Sequence, residues 1–312
     1  MSDRPTLEQL LEIQAHFGLP SPALVEKDWH VVKALAAITA LDISPFRLVF
    51  GGGTALSRAH GLIRRMSEDL DLKIVSEAKP SRSQLGKLRD RVTDALLATG
   101  FAFDPQNPEH RRSMYNNRFF RYQLPYAPIA KGEGALRPEI QVDTLAIQAR
   151  RPTIERLVRS FIAEGVDRTP EVASIACSAI PESAAEKLVA LTRRAGAELA
   201  GLREKRDPTL VRHVYDLHVI RDHYGPADVA SLACEIMIDD ARTYGRDFPA
   251  YRVDPLAETL KAIDGIATDK IFAENYTSFI DGMVYGEAPK FATAIETLKN
   301  LARHLKRPPP KD

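Results

Sequence analysis

Residues 51–74 read GGGTALSRAHGLIRRMSEDLDLKI, and their types and spacing suit phosphate and metal chemistry. Asp69 and Asp71 sit two apart at the start of an apolar-alternating run. In a strand such residues project to one face, while Leu70, Leu72 and Ile74 pack beneath. Adjacent carboxylates repel each other unless a cation lies between them. Oxygen-only ligands suit Mg²⁺, which is usually held by one or two carboxylates and completed by substrate phosphates. Upstream, Gly51, Gly52 and Gly53 permit a sharp turn and close backbone approach to a ligand. Thr54 then opens a helix whose free amides and dipole favour an anion, so Gly53 and Thr54 are candidates for phosphate contact. A phosphate cradle beside a carboxylate pair points to two-metal nucleotidyl transfer from an NTP. Neither GxGxxG nor GxxxxGK[ST] occurs, which excludes the dinucleotide and Walker fingerprints. The plainer alternative is that the glycines mark a turn and that Asp69-Leu70-Asp71 is a solvated strand edge.

The elements that must position these residues follow from periodicity. Residues 6–17 and 22–41 read as helices, the second with Ser21-Pro22 as cap and first turn. A strand at 47–50, a helix at 54–60 and a strand at 69–75 frame the motif. A helix at 81–100 follows, then strands at 118–124 and 137–145 separated by a loop around residues 131–134. After Pro152 the pattern reads as helical: 153–164, 182–202, 208–223, 226–242, 254–272 and 287–306. The expected division is a core at 1–165, a helical domain at 166–306 and a disordered tail at 307–312.

Composition excludes several classes. The 312 residues are 44% hydrophobic and 27% charged, which is ordinary for a globular chain. No apolar run is long enough to span a membrane and no signal peptide opens the chain, so a cytoplasmic protein with no membrane partner is expected. Cys177 and Cys234 are too few for a disulfide framework and read as buried thiols. The histidines show no zinc spacing. A net charge of +1 leaves nucleic-acid contact to local patches: Arg64-Arg65, Arg111-Arg112 with Arg118 and Arg121, Arg150-Arg151, and Arg193-Arg194. The second of these interleaves Tyr115, Phe119, Phe120 and Tyr122, a mixture able to stack on unpaired bases or simply to form a two-faced strand.

GGTALSRAHG followed by RRMSEDLDLKI resembles the motif of the AbiEii/AbiGii (MenT-like) toxin family of nucleotidyltransferases, within the DNA polymerase β-like superfamily. LVEKDWHVVKALAAI, EKLVALTRR and RDPTLVRHVYDLHVI resemble further segments of the family in the same order. The resemblance implies an α+β fold: a polymerase β-like core, with a small mixed sheet flanked by helices, and a C-terminal helical domain. It implies a third carboxylate on a neighbouring strand, at Glu139 with Asp143 as the alternative, that joins Asp69 and Asp71 around two Mg²⁺ ions. It places Gly52, Gly53, Thr54, Ser67 and Lys187 on the phosphates, Ser67 having a second reading as a cap of the turn into Asp69. Arg194 shares the lysine's helix face, and Asp216 is implied to fix the basic residue or the nucleotide. Pairing of Asp216 with Arg212 is the plain structural reading, and Arg206 and Asp207 either extend that cluster or cap the helix at Pro208. The charged run Glu26-Lys27-Asp28 lies beside Trp29, the anchor of its helix. The activity implied is NMP transfer to the tRNA 3′ end by a toxin with a cognate antitoxin. A small-molecule or protein acceptor, or a non-catalytic nucleotide- or RNA-binding module, are the competing functions.

Overall fold

The computed structural model describes residues 4–130, 136–147 and 150–306. The loop expected at 131–134 and the tail at 307–312 lie outside these residues. The chain divides into two compact units, Met1–Ser178 and Ala179–Asp312.

In the first unit, α1 (Leu7–Phe17) starts from a Thr6/Gln9 capping box and stops at Gly18, which adopts the left-handed conformation at φ 62°. Helix α2 (Pro22–Thr39) is capped by Ser21. Strand β1 (Arg47–Gly51) leads into the short helical turn α3 (Gly52–Thr54) and a π-helical turn at Ala55–Ala59. Then come β2 (Asp69–Val75), α4 (Arg82–Ala98), β3 (Arg111–Met114), β4 (Phe119–Pro125) and β5 (Glu139–Ala146). Strand β6 (Ile154–Val158), α5 (Phe161–Gly165) and β7 (Val172–Cys177) complete the unit. The seven strands form one mixed sheet in the order β3-β4-β5-β2-β1-β7-β6. Period-two alternation sorts each central strand: Leu70, Leu72, Phe120, Tyr122, Ile140 and Val142 enter a core with α2 and α4, and their neighbours face the other way.

Residues 153–164, expected to be a helix, instead form β6 and the start of α5, and β7 extends the sheet further. Strand β6 lies at the sheet's edge, where Glu155, Arg156 and Leu157 remain exposed, so its sequence lacks the clean alternation of a central strand. The edge strand β3 escaped the reading for the same reason, since its sequence is Arg-Arg-Ser-Met. With β6 and β7 in the sheet, the units part after Ser178.

The second unit is helical. It contains α6 (Ile180–Leu199), α7 (Val211–Val219), α8 (Pro226–Tyr244), α9 (Pro249–Val253), α10 (Pro255–Thr268), α11 (Lys270–Met283) and α12 (Phe291–His304). The single helix expected at 254–272 is two helices. Asp269 leaves the helical conformation and caps α11 by accepting from the Ile271 amide at 2.8 Å. Among the described residues no helix is long and apolar enough to cross a membrane. Both cysteines are buried and unpaired.

Candidate functional site

The register of four strands builds the site. Parallel pairing of β2 with β5 sets Asp69 opposite Gln141 and Asp71 opposite Asp143. Antiparallel pairing of β4 with β5 sets Arg121 opposite Asp143, and β3 adds Arg112 opposite Arg121. Directly opposed residues share a face. Arg112, Arg121, Asp143 and Asp71 therefore form one row across the open face of the sheet, with Asp69 and Gln141 in the next row. Asp71 is exposed and Asp69 half-buried. Arg121 holds Asp143 in a two-pronged ion pair, Nε to Oδ1 at 2.7 Å and NH2 to Oδ2 at 2.6 Å, and the Gln141 side-chain amide donates to Oδ2 at 3.1 Å. Burial pushes the Asp143 carboxyl up, Arg121 draws it down, and the nearby Asp69 charge raises it again. The net shift is upward. The hydrogen bond to Asp143 raises the Arg121 pKa, and the charges of Asp69 and Asp71 add to it.

The register distinguishes the positions of the two candidates for the third carboxylate. Glu139 lies two residues before Gln141, level with a segment where β2 has not begun, and it pairs with the exposed Arg137 at 3.2 Å. Asp143, the alternative, is the residue placed beside Asp71. Among the described residues no three metal-type side chains form a closed cluster. The donor set still fits Mg²⁺, whose remaining positions are filled by water and substrate phosphates.

The glycine turn touches the same carboxylates. Gly52 has φ +70°, and a Cβ built on it would lie 1.9 Å from Asp71 Oδ2. Only glycine leaves room for that carboxylate. A Cβ on Gly53 would meet Arg65 NH2 at 2.5 Å and Ser67 Oγ at 2.7 Å, so this turn is backed by a guanidinium and a hydroxyl. The helical turn begins at Gly52, earlier than the expected residue 54. Thr54 is 2% exposed, and its hydroxyl donates to the Asp69 carbonyl at 2.5 Å. That bond ties the turn to β2 and makes Thr54 a positioning group. The chain then widens into the π turn, closed by the His60 amide on the Ala55 carbonyl at 2.9 Å.

Three consecutive buried charges on α2 hold this frame from below. Glu26 accepts from the Ile129 and Ala130 amides at 2.8 and 3.0 Å. Lys27 pairs with Glu68 at 2.5 Å and donates to the Arg137 carbonyl at 2.8 Å, so it pins the entrances to both carboxylate strands. Asp28 accepts from the Phe161 amide at 2.6 Å and pairs at 3.4 Å with Arg58 of the π turn, whose guanidinium lies 3.6 Å from the Phe161 ring centre. The sequence marked this run as a charged cluster. Its separate partners are visible only in the fold.

In the helical unit, Lys187 pairs with Asp216 at 2.7 Å, and their side chains are 7% and 0% exposed. Asp216 was expected to pair with Arg212 or to fix a basic residue, and Lys187 is a basic residue it holds. His213, one turn away, is pushed well below its usual range by burial and by the Lys187 charge. Arg194 ion-pairs with Asp207, which also caps the turn at Pro208 through the Thr209 amide at 2.9 Å, and Arg206 pairs with Asp269 at 2.7 Å. The expected basic patches thin out accordingly. Arg65 is 3% exposed, Arg193 is bound to Asp240 at 2.6 Å, and Arg111 turns to Thr93 and Asp90 of α4. Arg121 and the buried Arg65 were read from the sequence only as members of basic patches, and their places beside Asp143 and behind the Gly53 turn were missed. Alternation placed Arg121 on the polar face, but its partner required the register.

The sequence matches a known family. The AbiEii profile, described as nucleotidyl transferase AbiEii toxin of a type IV toxin–antitoxin system, matches residues 33–297. The chain belongs to the AbiEii family. It is thus a nucleotidyltransferase toxin by family, and membership implies an NTP substrate and an antitoxin partner. Among solved structures it is similar to MenT4, a nucleotidyltransferase toxin from Mycobacterium tuberculosis H37Rv, at 15% identity and TM-score 0.54. The match covers 94% of this chain and 88% of that one, and it establishes the fold this AbiEii chain shares with MenT4. No curated protein matches the sequence.

Proposed function

We propose that the protein transfers NMP from an NTP to the 3′ hydroxyl of tRNA and thereby blocks translation. The observation that carries this reading is Asp143 set in register beside Asp71, with Asp69 on the same face and the Gly52 turn packed against the carboxylates. Asp69, Asp71 and Asp143 are the residues that would hold two Mg²⁺ ions, which supply neutralisation of the triphosphate and favour ionisation of the attacking hydroxyl. The backbone at Gly52 and Gly53 offers close approach for the phosphates, with Arg65 and Ser67 behind it. Thr54 and Lys27 keep that turn and both strands in place. The acceptor oxygen bonds to the α-phosphorus as the bond to pyrophosphate breaks. The protein's contribution is positioning and charge neutralisation, with no covalent intermediate.

The test is incubation of purified protein with total tRNA, Mg²⁺ and each α-³²P-labelled NTP, beside Asp69→Asn. Label entering tRNA with wild type alone is the expected result, and it names the nucleotide. No label with any NTP, despite Mg²⁺-dependent NTP binding, would move the acceptor to a small molecule or a protein.

A further inference from the structure

The carboxylate row does not end at Arg121. On the same open face β3 carries Arg112 opposite Arg121 and Met114 opposite Phe119, and Phe119 in turn faces Leu145 of β5. Arg112 is exposed, and Met114 and Leu145 are 38% and 40% exposed. The β3–β4 turn ends the strip with Tyr115, 56% exposed. Its backbone is left-handed: Tyr115, Asn116 and Asn117 have φ of 52°, 57° and 65°. Asn117 anchors the turn to α4 through the Arg82 carbonyl at 3.2 Å and accepts from Ser113 at 2.6 Å. An exposed aromatic and an exposed arginine on one hairpin can offer a stacking platform to unpaired bases. Strands lie about 4.8 Å apart, so the three steps from Asp71 to Arg112 span about 14 Å. That is a short reach for a single strand whose end enters the carboxylate row.

The opposite face of the same hairpin has no such character. Arg111 is turned onto α4, and Phe120 and Tyr122 are buried. The arginine and aromatic residues of this segment are therefore sorted, with Arg112, Arg121 and Phe119 on the side that holds the carboxylates and Tyr115 in the turn at its end.

We infer that the open face of the β3–β4 hairpin, from Tyr115 through Arg112, is where the unpaired 3′ end of an RNA acceptor lies as it enters the carboxylate row. The inference rests on the RNA-transfer reading and deepens it. Positive charge meets the phosphate backbone at Arg112, and the Tyr115 ring and the Met114–Phe119 surface receive base faces.

The experiment is fluorescence anisotropy with a labelled RNA hairpin carrying a short unpaired 3′ overhang, against the same hairpin made blunt. Wild type and Asp69→Asn, in which chemistry is removed, should both bind the overhang form more tightly. Tyr115→Ala and Arg112→Glu should each weaken overhang binding about tenfold. Arg112→Glu should also lower the salt slope by about one. Tyr115→Trp should bind as wild type, and where turnover is measured the defects should fall on KM for RNA. Equal affinity for overhang and blunt RNA, or full affinity in both Tyr115→Ala and Arg112→Glu, overturns the strip. If tRNA is labelled in that case, the transfer reading stands without it. If RNA binds through the strip but no NTP is incorporated, the transfer reading fails and the strip survives.

Discussion

The protein holds charge in two contrasting settings. On the open face of the sheet, Arg121 and Asp143 form a close pair whose side chains remain 32% and 16% exposed. In the helices, charges are sealed: Lys187 with Asp216 on α6 and α7, and Glu26, Lys27 and Asp28 on α2. A part-exposed ion pair costs less to break than a sealed one, and its members can take other partners. A buried pair is costly to break because the survivor is left uncompensated in a poor solvent. The contrast separates groups that can exchange an internal partner for substrate from groups that set the frame.

The largest effect expected from this contrast is at Asp216. Asp216→Ala should destabilise the protein by about 3–5 kcal/mol in urea unfolding. The apolar double change Lys187→Met with Asp216→Leu should recover most of that stability. A cost below about 1 kcal/mol for Asp216→Ala would place this pair with the exposed one.

Gly52→Ala sharpens the sheet side. Its backbone at φ +70° should cost about 1–2 kcal/mol, and the new methyl must displace the Asp71 carboxylate. Nucleotide incorporation should fall to background in a protein that still melts cooperatively. Retained activity would mean that the placement of Asp71 against the turn is not used.

The α2 charges can be read through pH. Burial raises Asp28 to about 6 against an ordinary 3.8, opposed by Arg58 and the Phe161 amide. The folded chain thus binds its proton more tightly, and the associated stability is lost as pH rises from 3.8 through about 6. Two residues on, His30 is stacked on Tyr126 and lowered from 6.5 to about 3 by burial, with the charges of Arg4 and Lys33 adding to the effect. Its stability contribution is present above 6.5 and is lost as pH falls toward 3. Between 3.8 and 6 the two contributions oppose each other. Relative to wild type, Asp28→Asn should therefore make stability rise with pH across this window by about 1.4 kcal/mol per unit, and His30→Phe should make it fall by a similar slope. Urea melts at the two ends of the window check both signs, and parallel curves for all three proteins would show these groups to be solvated.

The smallest stability effect belongs to Arg121. Arg121→Ala should change unfolding free energy by less than about 1 kcal/mol. It should tighten Mn²⁺ binding, followed by electron paramagnetic resonance, because Asp143 is freed from its guanidinium. Unchanged or weakened Mn²⁺ binding would make the pair a structural tie like those in the helices.

Much of this was legible before folding. Ser21-Pro22, the apolar spacing of α2 and the alternation in β2, β4 and β5 are local signals, and their elements formed within a few residues of expectation. The edge strands β3 and β6 were misread because their polar residues answer to position in the sheet, not to a period in the chain. The Arg193-Arg194 and Arg65 patches dissolved for a related reason, since Asp240 and Asp207 come from elsewhere along the chain and Arg65 is buried by the fold.

What the sequence alone determined was the pairing of Asp69 with Asp71 on one face and the need for glycine before them, because a strand repeats every two residues and a tight turn excludes side chains. The choice of Asp143 over Glu139 as their neighbour, and the placing of Arg121 between the row and Arg112, came from the register of β2, β5, β4 and β3. Register is a non-local property: a shift of the β5 pairing would put a different residue beside Asp71, and only the packed core beneath the strands rules that shift out.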